Sequence, residues 1–181
     1  MIRIGITHKD NFFPNEHKVI MDCLNSGFHY FHIRKADFSM QQMEDYLLMF
    51  PKPVREKLVL HSHFDLINKL GLAGAAANER NLNELTGVKV MSYSAHSIDE
   101  LKYPPIEAKY YFLSPIWDSL SKKGYKATLN HDDIRAFLYR TDKEVIALGG
   151  VTDEKLGELI RMGFDGYAML GNIWNDQYSF T

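Results

Sequence analysis

Three pairs of polar residues stand two positions apart in apolar surroundings: His32 and Arg34, His61 and His63, and Ser94 and His96. Residues two apart on an extended chain share a face, so each pair can aim both side chains at one place. Imidazole changes charge near neutral pH and can move protons to and from a substrate. A guanidinium matches phosphate or carboxylate oxygens two at a time. If all three faces point inward, four histidines, an arginine and a serine share one cavity mouth. Histidines spaced i, i+2 also suit a transition metal, but no carboxylate or cysteine falls in the set. Each histidine alone is also compatible with an ordinary hydrogen-bonded residue at a strand end.

A second kind of chemistry is suggested by glycine. Val145-Ile146-Ala147-Leu148-Gly149-Gly150-Val151 ends an apolar run in two glycines, and Asp165-Gly166-Tyr167-Ala168-Met169-Leu170-Gly171 ends in another. Glycines let a phosphate approach backbone N–H groups, and a following helix start adds positive dipole. The plain alternative is a tight turn. Between them and the histidines lies a long segment, residues 117–129, with Ser119, Ser121, Lys122, Lys123 and Lys126. Long segments without periodicity are commonly lids or binding loops. Hydroxyls and lysines suit a polyanion, although a solvated surface loop has the same composition.

These residues need elements to hold them. The hydrophobic pattern predicts eight strands: Ile2–Thr7, Phe28–Arg34, Lys57–Ser62, Ala73–Ala76, Val88–Ser94, Lys109–Ser114, Glu144–Leu148 and Asp165–Leu170. The stretches between them read as helices. Ser39 with Gln42 makes a capping-box pattern, and Met43, Tyr46, Leu47 and Phe50 follow as one apolar stripe. Ser97 with Glu100 repeats the box. Thr152 is expected to cap a helix carrying Leu156, Leu159 and Ile160 inward and stopping near Gly163. Val19, Ile20, Cys23 and Leu24 make the buried face of the first helix, so Cys23 reads as packing. Strands alternating with helices imply a parallel sheet. Eight units favour a (β/α)8 TIM barrel over an open doubly wound sheet, as one domain over residues 1–181. The fourth helix is short, around Asn81–Leu85, and the eighth is short or truncated, because only eleven residues follow Leu170. In such a barrel the functional residues gather at the C-terminal ends of the strands, and phosphate often sits after strands seven and eight.

Composition bounds the function. The chain has 181 residues and a formal charge of −2, from 21 Lys and Arg against 23 Asp and Glu, so there is no basic footprint for nucleic acid. No apolar run approaches the roughly 20 residues that span a bilayer. The beginning, MIRIGITHKD, lacks the apolar core of a signal peptide, and a lone cysteine fits a reducing compartment. A cytoplasmic location is therefore expected. A short last unit would leave an apolar barrel flank, which fits a homodimer.

In order and spacing, the motifs resemble the thiamine phosphate synthase family with its TenI branch, from strand two to the end of the chain. His32-Ile33-Arg34 resembles the family's Gln-Leu-Arg, Ser94-Ala95-His96-Ser97 its Ser-x-His-[Ser/Thr], and Ser114-Pro115-Ile116-Trp117-Asp118-Ser119-Leu120-Ser121-Lys122 its Gly-Pro-Ile-Phe-x-Thr-x-Thr-Lys. Gly149-Gly150-Val151 and Gly163-Phe164-Asp165-Gly166 resemble its closing phosphate segments. The resemblance implies the (β/α)8 barrel. It also implies coupling of hydroxymethylpyrimidine diphosphate to a thiazole phosphate, with loss of pyrophosphate. Arg34, Lys122, Ser119 and Ser121 would face the diphosphate or the thiazole phosphate, and Ser94 the reacting centre. Gly149, Gly150, Leu170 and Gly171 would offer N–H groups to the thiazole phosphate. His32, His63 and His96 would line the substrate.

Five positions depart from the family pattern. The Asn-Asp pair after strand three falls on His61 and Ser62, and a second metal-binding Asp on Asn81. A lysine beyond the strand-two arginine falls on Ala36, leaving Lys35 out of phase. The acid/base histidine of the TenI tautomerases falls on Pro115. No metal ligands are assigned, and Mg2+ is implied only for a retained synthase. Three readings follow: a synthase; a metal-independent TenI-like thiazole tautomerase with His61 as the replacement acid/base; or a non-catalytic binder of thiazole phosphate or thiamine phosphate.

Overall fold

The computed structural model of the chain describes residues 1–8, 15–118 and 129–174. Its strands are β1 (Ile2–Ile6), β2 (Tyr30–Ile33), β3 (Leu58–Leu60), β4 (Gly74–Ala77), β5 (Val90–Ala95), β6 (Tyr110–Leu113), β7 (Val145–Ala147) and β8 (Gly166–Met169). They follow one another in chain order as a closed parallel barrel, which is the (β/α)8 architecture expected over an open sheet. All eight expected strands are present, and most are shorter by one or two residues at their ends. Contacts group the chain into two units, Ile4–Met91 and Ser92 onward with Met1–Arg3.

In the unit Ile4–Met91, β2 is the central strand. It pairs with β1 through Ile6↔His32 and with β3 through His32↔Val59 and Ile33↔Leu60. Helix α1 (Glu16–Asn25) buries Ile20, Cys23 and Leu24. Helix α2 (Met40–Leu48) begins in a complete capping box. Ser39 Oγ accepts from Gln42 N–H at 3.3 Å, and Gln42 Oε1 accepts from Ser39 N–H at 2.8 Å. The expected stripe of Met43, Tyr46, Leu47 and Phe50 is buried. Helices α3 (Lys52–Arg55) and α4 (Asp65–Leu70) complete this layer, and a 3-10 turn at Leu82–Glu84 replaces the fourth helix.

A charged cluster crosses this apolar layer. Lys35 Nζ donates to Glu16 Oε1 at 2.8 Å and to the His8 carbonyl at 3.1 Å, while the Tyr46 hydroxyl donates to Glu16 Oε2 at 3.0 Å. Lys35 is 2% exposed and Glu16 0%. The cluster joins α1, α2 and the exit of β2. Burial raises the Glu16 carboxyl above its usual range although Lys35 opposes the shift.

In the second unit β5, β6, β7 and β8 pair in register, with Ser94↔Phe112, Phe112↔Ile146 and Ile146↔Gly166. The helices are α5 (Ile98–Lys102), α6 (His131–Leu138), α7 (Leu156–Met162) and α8 (Gly171–Trp174). Two caps differ from expectation. Ser97 Oγ accepts from Glu100 N–H, but the Glu100 carboxylate reaches one residue further back, to His96 N–H at 3.0 Å. Thr152 makes no cap bond, because a 3-10 turn at Asp153–Lys155 carries the chain into α7. Ile160 is 61% exposed rather than inward, and Met162 takes the buried place beside Leu159. The intervening 3-10 turn rotates the apolar face of α7.

Candidate functional site

The end of β2 brings a histidine pair together in the first unit. His32 is fully buried and His61 half-buried, and His32 Nδ1 lies 3.0 Å from His61 Nε2. One of these nitrogens carries the shared proton. Their rings meet edge to face with centroids 5.2 Å apart. Burial, and then the Arg34 guanidinium, push the His61 imidazole down to about 3. Burial, and then His61, hold His32 well below its usual value. Both rings are therefore neutral at pH 7. The lowered pKa of His61 favours a hydrogen-bonding role for the ring over proton transfer at neutral pH. A neutral imidazole here can still offer an N–H or a lone pair to a ligand.

Arg34 follows this pair, with its backbone N–H donating to Thr7 Oγ1 at 2.7 Å. None of the ion pairs among the described residues involves Arg34. A half-buried guanidinium without a carboxylate partner is available to an anion. His63 departs from its expected place. β3 ends at Leu60, and His63 sits in the left-handed region at φ 56°, so it does not share a strand face with His61. Its Nδ1 is bonded to Ser62 Oγ at 2.9 Å instead.

The positions on which a family metal site would fall are already occupied with other work. Asn81 is buried, its Oδ1 accepts from Asn78 N–H at 2.9 Å, and its Nδ2 donates to the Ala76 carbonyl at 3.0 Å. Ser62 Oγ is engaged with His63, and His61 faces the Arg34 cation. Among the described residues no group of three or more His, Cys, Asp and Glu side chains could hold a metal ion. Mg2+ prefers anionic oxygens, and this donor set supplies none.

The second unit presents hydroxyls and backbone. Ser94 is half-buried on β5, and Ser92, two residues earlier on the same face, is fully buried with no hydrogen-bond partner for its Oγ among the described residues. His96 is exposed, and its Nδ1 donates to the Ser114 carbonyl at 3.0 Å.

Beyond β6 and β7 the two chains run on side by side. Leu148 N–H donates to Leu113 O, Ile116 N–H to Leu148 O and Trp117 N–H to Gly149 O. Gly149 has φ 92° and Gly150 φ 64°. A Cβ on Gly150 would stand 2.6 Å from the Asp118 carbonyl and 2.7 Å from Trp117 Cβ, so only glycine fits there. The N–H groups of Gly149 and Gly150 have no protein partner among the described residues. Thr152 Oγ1 is enclosed in the same turn with no partner among the described residues. Leu170 and Gly171 are half-buried at the junction of β8 and α8. Ser119, Ser121 and Lys122 lie outside the described residues.

Sequence reasoning missed Thr7, the Glu16–Lys35–Tyr46 cluster, and the side chains of Trp117, His131 and Lys155 packed around the glycine turn. Only Lys35, charged and out of phase on an apolar strand exit, carried a visible signal.

A family model described as thiamine monophosphate synthase matches residues 4–173. The thiamine-phosphate synthase of Chloroflexus aurantiacus is 28% identical over 90 residues, which cover 49% of this chain and 42% of that protein. The thiamine-phosphate synthase of Bacteroides thetaiotaomicron is 22% identical over 183 residues, covering 93% of this chain and 87% of the relative. A solved structure of thiamine phosphate pyrophosphorylase from the same organism superposes with a TM-score of 0.83 at 30% identity, covering 97% of this chain and 85% of that one. The chain thus spans less than half the length of the first curated relatives it matches. No helix among the described residues is long and apolar enough to cross a membrane.

Proposed function

The chain belongs to the thiamine monophosphate synthase family, and on that premise we propose that it joins hydroxymethylpyrimidine diphosphate to thiazole phosphate with release of pyrophosphate. The bond from the pyrimidine methylene carbon to the diphosphate oxygen breaks, and its electron pair leaves with pyrophosphate. The thiazole nitrogen then supplies the pair that forms the new C–N bond. The observation that carries this reading is the Gly149–Gly150 turn, whose N–H groups have no partner among the described residues, within a chain that follows the family over residues 4–173.

Each residue has a task. Gly149 and Gly150, with Leu170 and Gly171, take the thiazole phosphate through backbone N–H groups. Arg34 attracts the leaving diphosphate, and His32 and His61 offer neutral hydrogen bonds beside it. Ser94 faces the reacting centre, with His96 near its strand end. Ser119, Ser121 and Lys122 add hydroxyls and a cation for the anionic groups. His63, turned away from the strand, has a weaker claim to contact substrate. The Asn81, Ser62 and His61 donors do not fit Mg2+, so the anion rests on Arg34 and lysine charge. The names of the relatives favour the synthase over the tautomerase and binder readings, and a cytoplasmic location and homodimer remain part of this proposal.

Incubation with both substrates tests it, with thiamine phosphate and pyrophosphate measured with and without Mg2+. Stoichiometric formation of both products is the expected result, and EDTA should change the rate less than about twofold. Absence of thiamine phosphate at high enzyme concentration would end the synthase reading.

A further inference from the structure

The glycine turn after β7 is held by a lysine five residues further on and by an aromatic ring from the segment after β6. Lys155 Nζ donates to the Gly150 carbonyl at 2.9 Å. The same ammonium lies over the Trp117 ring, 4.7 Å from its centroid. The opposite constraint on Trp117 comes from His131, whose ring meets the indole edge to face at 5.9 Å. His131 is itself fixed at both ends. Nε2 donates to the Ile116 carbonyl at 3.1 Å, and Nδ1 stands 3.4 Å from Glu158 Oε1 on α7.

Lys155 thus bridges the exit of β6 and the exit of β7. Its bond fixes the peptide that follows Gly150, while the carbonyl of the Gly149–Gly150 peptide accepts from Trp117 N–H, so both carbonyls of the turn are held. The neighbouring N–H groups of Gly149 and Gly150 are unpartnered among the described residues. Both glycines have positive φ and the conformational freedom that goes with it. Without an external constraint, ordering such a turn around a ligand carries an entropic cost at binding.

We infer that Lys155 is a positioning residue for the phosphate turn: its ammonium, shared between the Gly150 carbonyl and the Trp117 ring, holds the glycine N–H groups in the geometry that receives phosphate. This deepens the proposed function and rests on its phosphate reading. Lys155 acts through the backbone and not by touching the anion. Trp117 supplies the surface against which the ammonium is held, and His131 holds Trp117.

The test compares Lys155→Met and Lys155→Arg with the unaltered chain in three measurements. These are calorimetric titration with thiazole phosphate and with inorganic phosphate, the salt dependence of each affinity, and hydrogen exchange at the Gly149 and Gly150 amides. Lys155→Met should weaken thiazole phosphate binding about tenfold, the loss of one charge-assisted bond and a cation–π contact. It should leave the salt dependence unchanged and speed exchange at the two amides by about the same factor. Lys155→Arg, which keeps a donor and a flat cation, should bind within about threefold of the unaltered chain. Unchanged binding in Lys155→Met overturns the inference. So does weakened binding with a reduced salt dependence and unchanged exchange, which would mean that Lys155 touches the phosphate directly.

If the unaltered chain binds inorganic phosphate but not thiazole phosphate, the proposed function fails and the inorganic phosphate arm decides the inference. Binding of neither overturns both. Should Lys155→Met fail to fold, Trp117→Leu takes its place. It removes the ring from under the ammonium and should weaken binding and speed exchange in the same direction; no change in either measurement overturns the inference.

Discussion

The histidine pair at the end of β2 and the glycine turn after β7 are built in opposite ways. The first uses side chains taken out of water. His32 and His61 share one hydrogen bond at 3.0 Å, Arg34 stands beside them, and behind β2 the Lys35–Glu16 pair is almost fully enclosed. The second uses backbone. The Gly149 and Gly150 N–H groups have no hydrogen-bond partner among the described residues, and a half-buried lysine holds the Gly150 carbonyl. Desolvated side chains make the first region sensitive to charge and pH. Close approach of two backbones makes the second sensitive to a single carbon atom.

The largest effect expected from breaking this contrast is at Lys35. Lys35→Met leaves the Glu16 carboxylate enclosed without its cation, which should cost about 3–5 kcal/mol of stability. Denaturant unfolding of the variant measures it, and a cost below about 1 kcal/mol would mean that Glu16 is solvated. The matching change in the other region is Gly150→Ala. Its Cβ would meet the Asp118 carbonyl at 2.6 Å on a backbone at φ 64°, so a loss of about 2–3 kcal/mol is expected. Thiazole phosphate titration should show affinity falling with it, whereas a wild-type affinity would show that the turn is not the phosphate seat.

Acid sharpens the difference. The folded state keeps His61 neutral down to about 3, while the unfolded chain accepts a proton near 6.5. The unfolded state therefore binds more protons between these values, and stability falls as pH is lowered from about 6.5 toward 3, by up to about 1.4 kcal/mol per pH unit. Glu16, raised by burial, acts in the opposite sense, its contribution being lost as pH rises. Comparing unfolding of the unaltered chain and His61→Gln across this range cancels the Glu16 contribution, and parallel curves would reject the desolvated pair. The smallest effect contrasts two caps. Ser39→Ala should cost about 1 kcal/mol, since Ser39 holds a complete box, whereas Thr152→Val should cost nothing because Thr152 Oγ1 has no partner among the described residues. A measurable loss in Thr152→Val would reveal a bond that Thr152 makes in solution.

Much of this architecture is legible along the chain. The strands read correctly because each is a short apolar run bounded by turn residues, and α2 because its stripe and its cap are both local. The closing glycines were legible because positive φ leaves a compositional trace. The pairing of His32 with His61 was not, since it depends on β2 and β3 aligning His32 with Val59 and on which way two rings turn. His63 misled because strand β3 stops at Leu60, and a two-residue spacing has meaning only while the backbone remains extended. Ile160 misled because the 3-10 turn before α7 shifts the helical phase.

By itself, then, the sequence determined the eight alternating units, the short fourth connection, the buried stripes and the glycine turn. These rest on periodicity and on the conformations that single residue types allow. Tertiary structure alone decided that His32 and His61 would be neutral and in contact, and that Lys155 would reach the Trp117 ring. Such outcomes depend on strand register and on how far each group is withdrawn from water, and neither is encoded within a few residues of the side chain concerned.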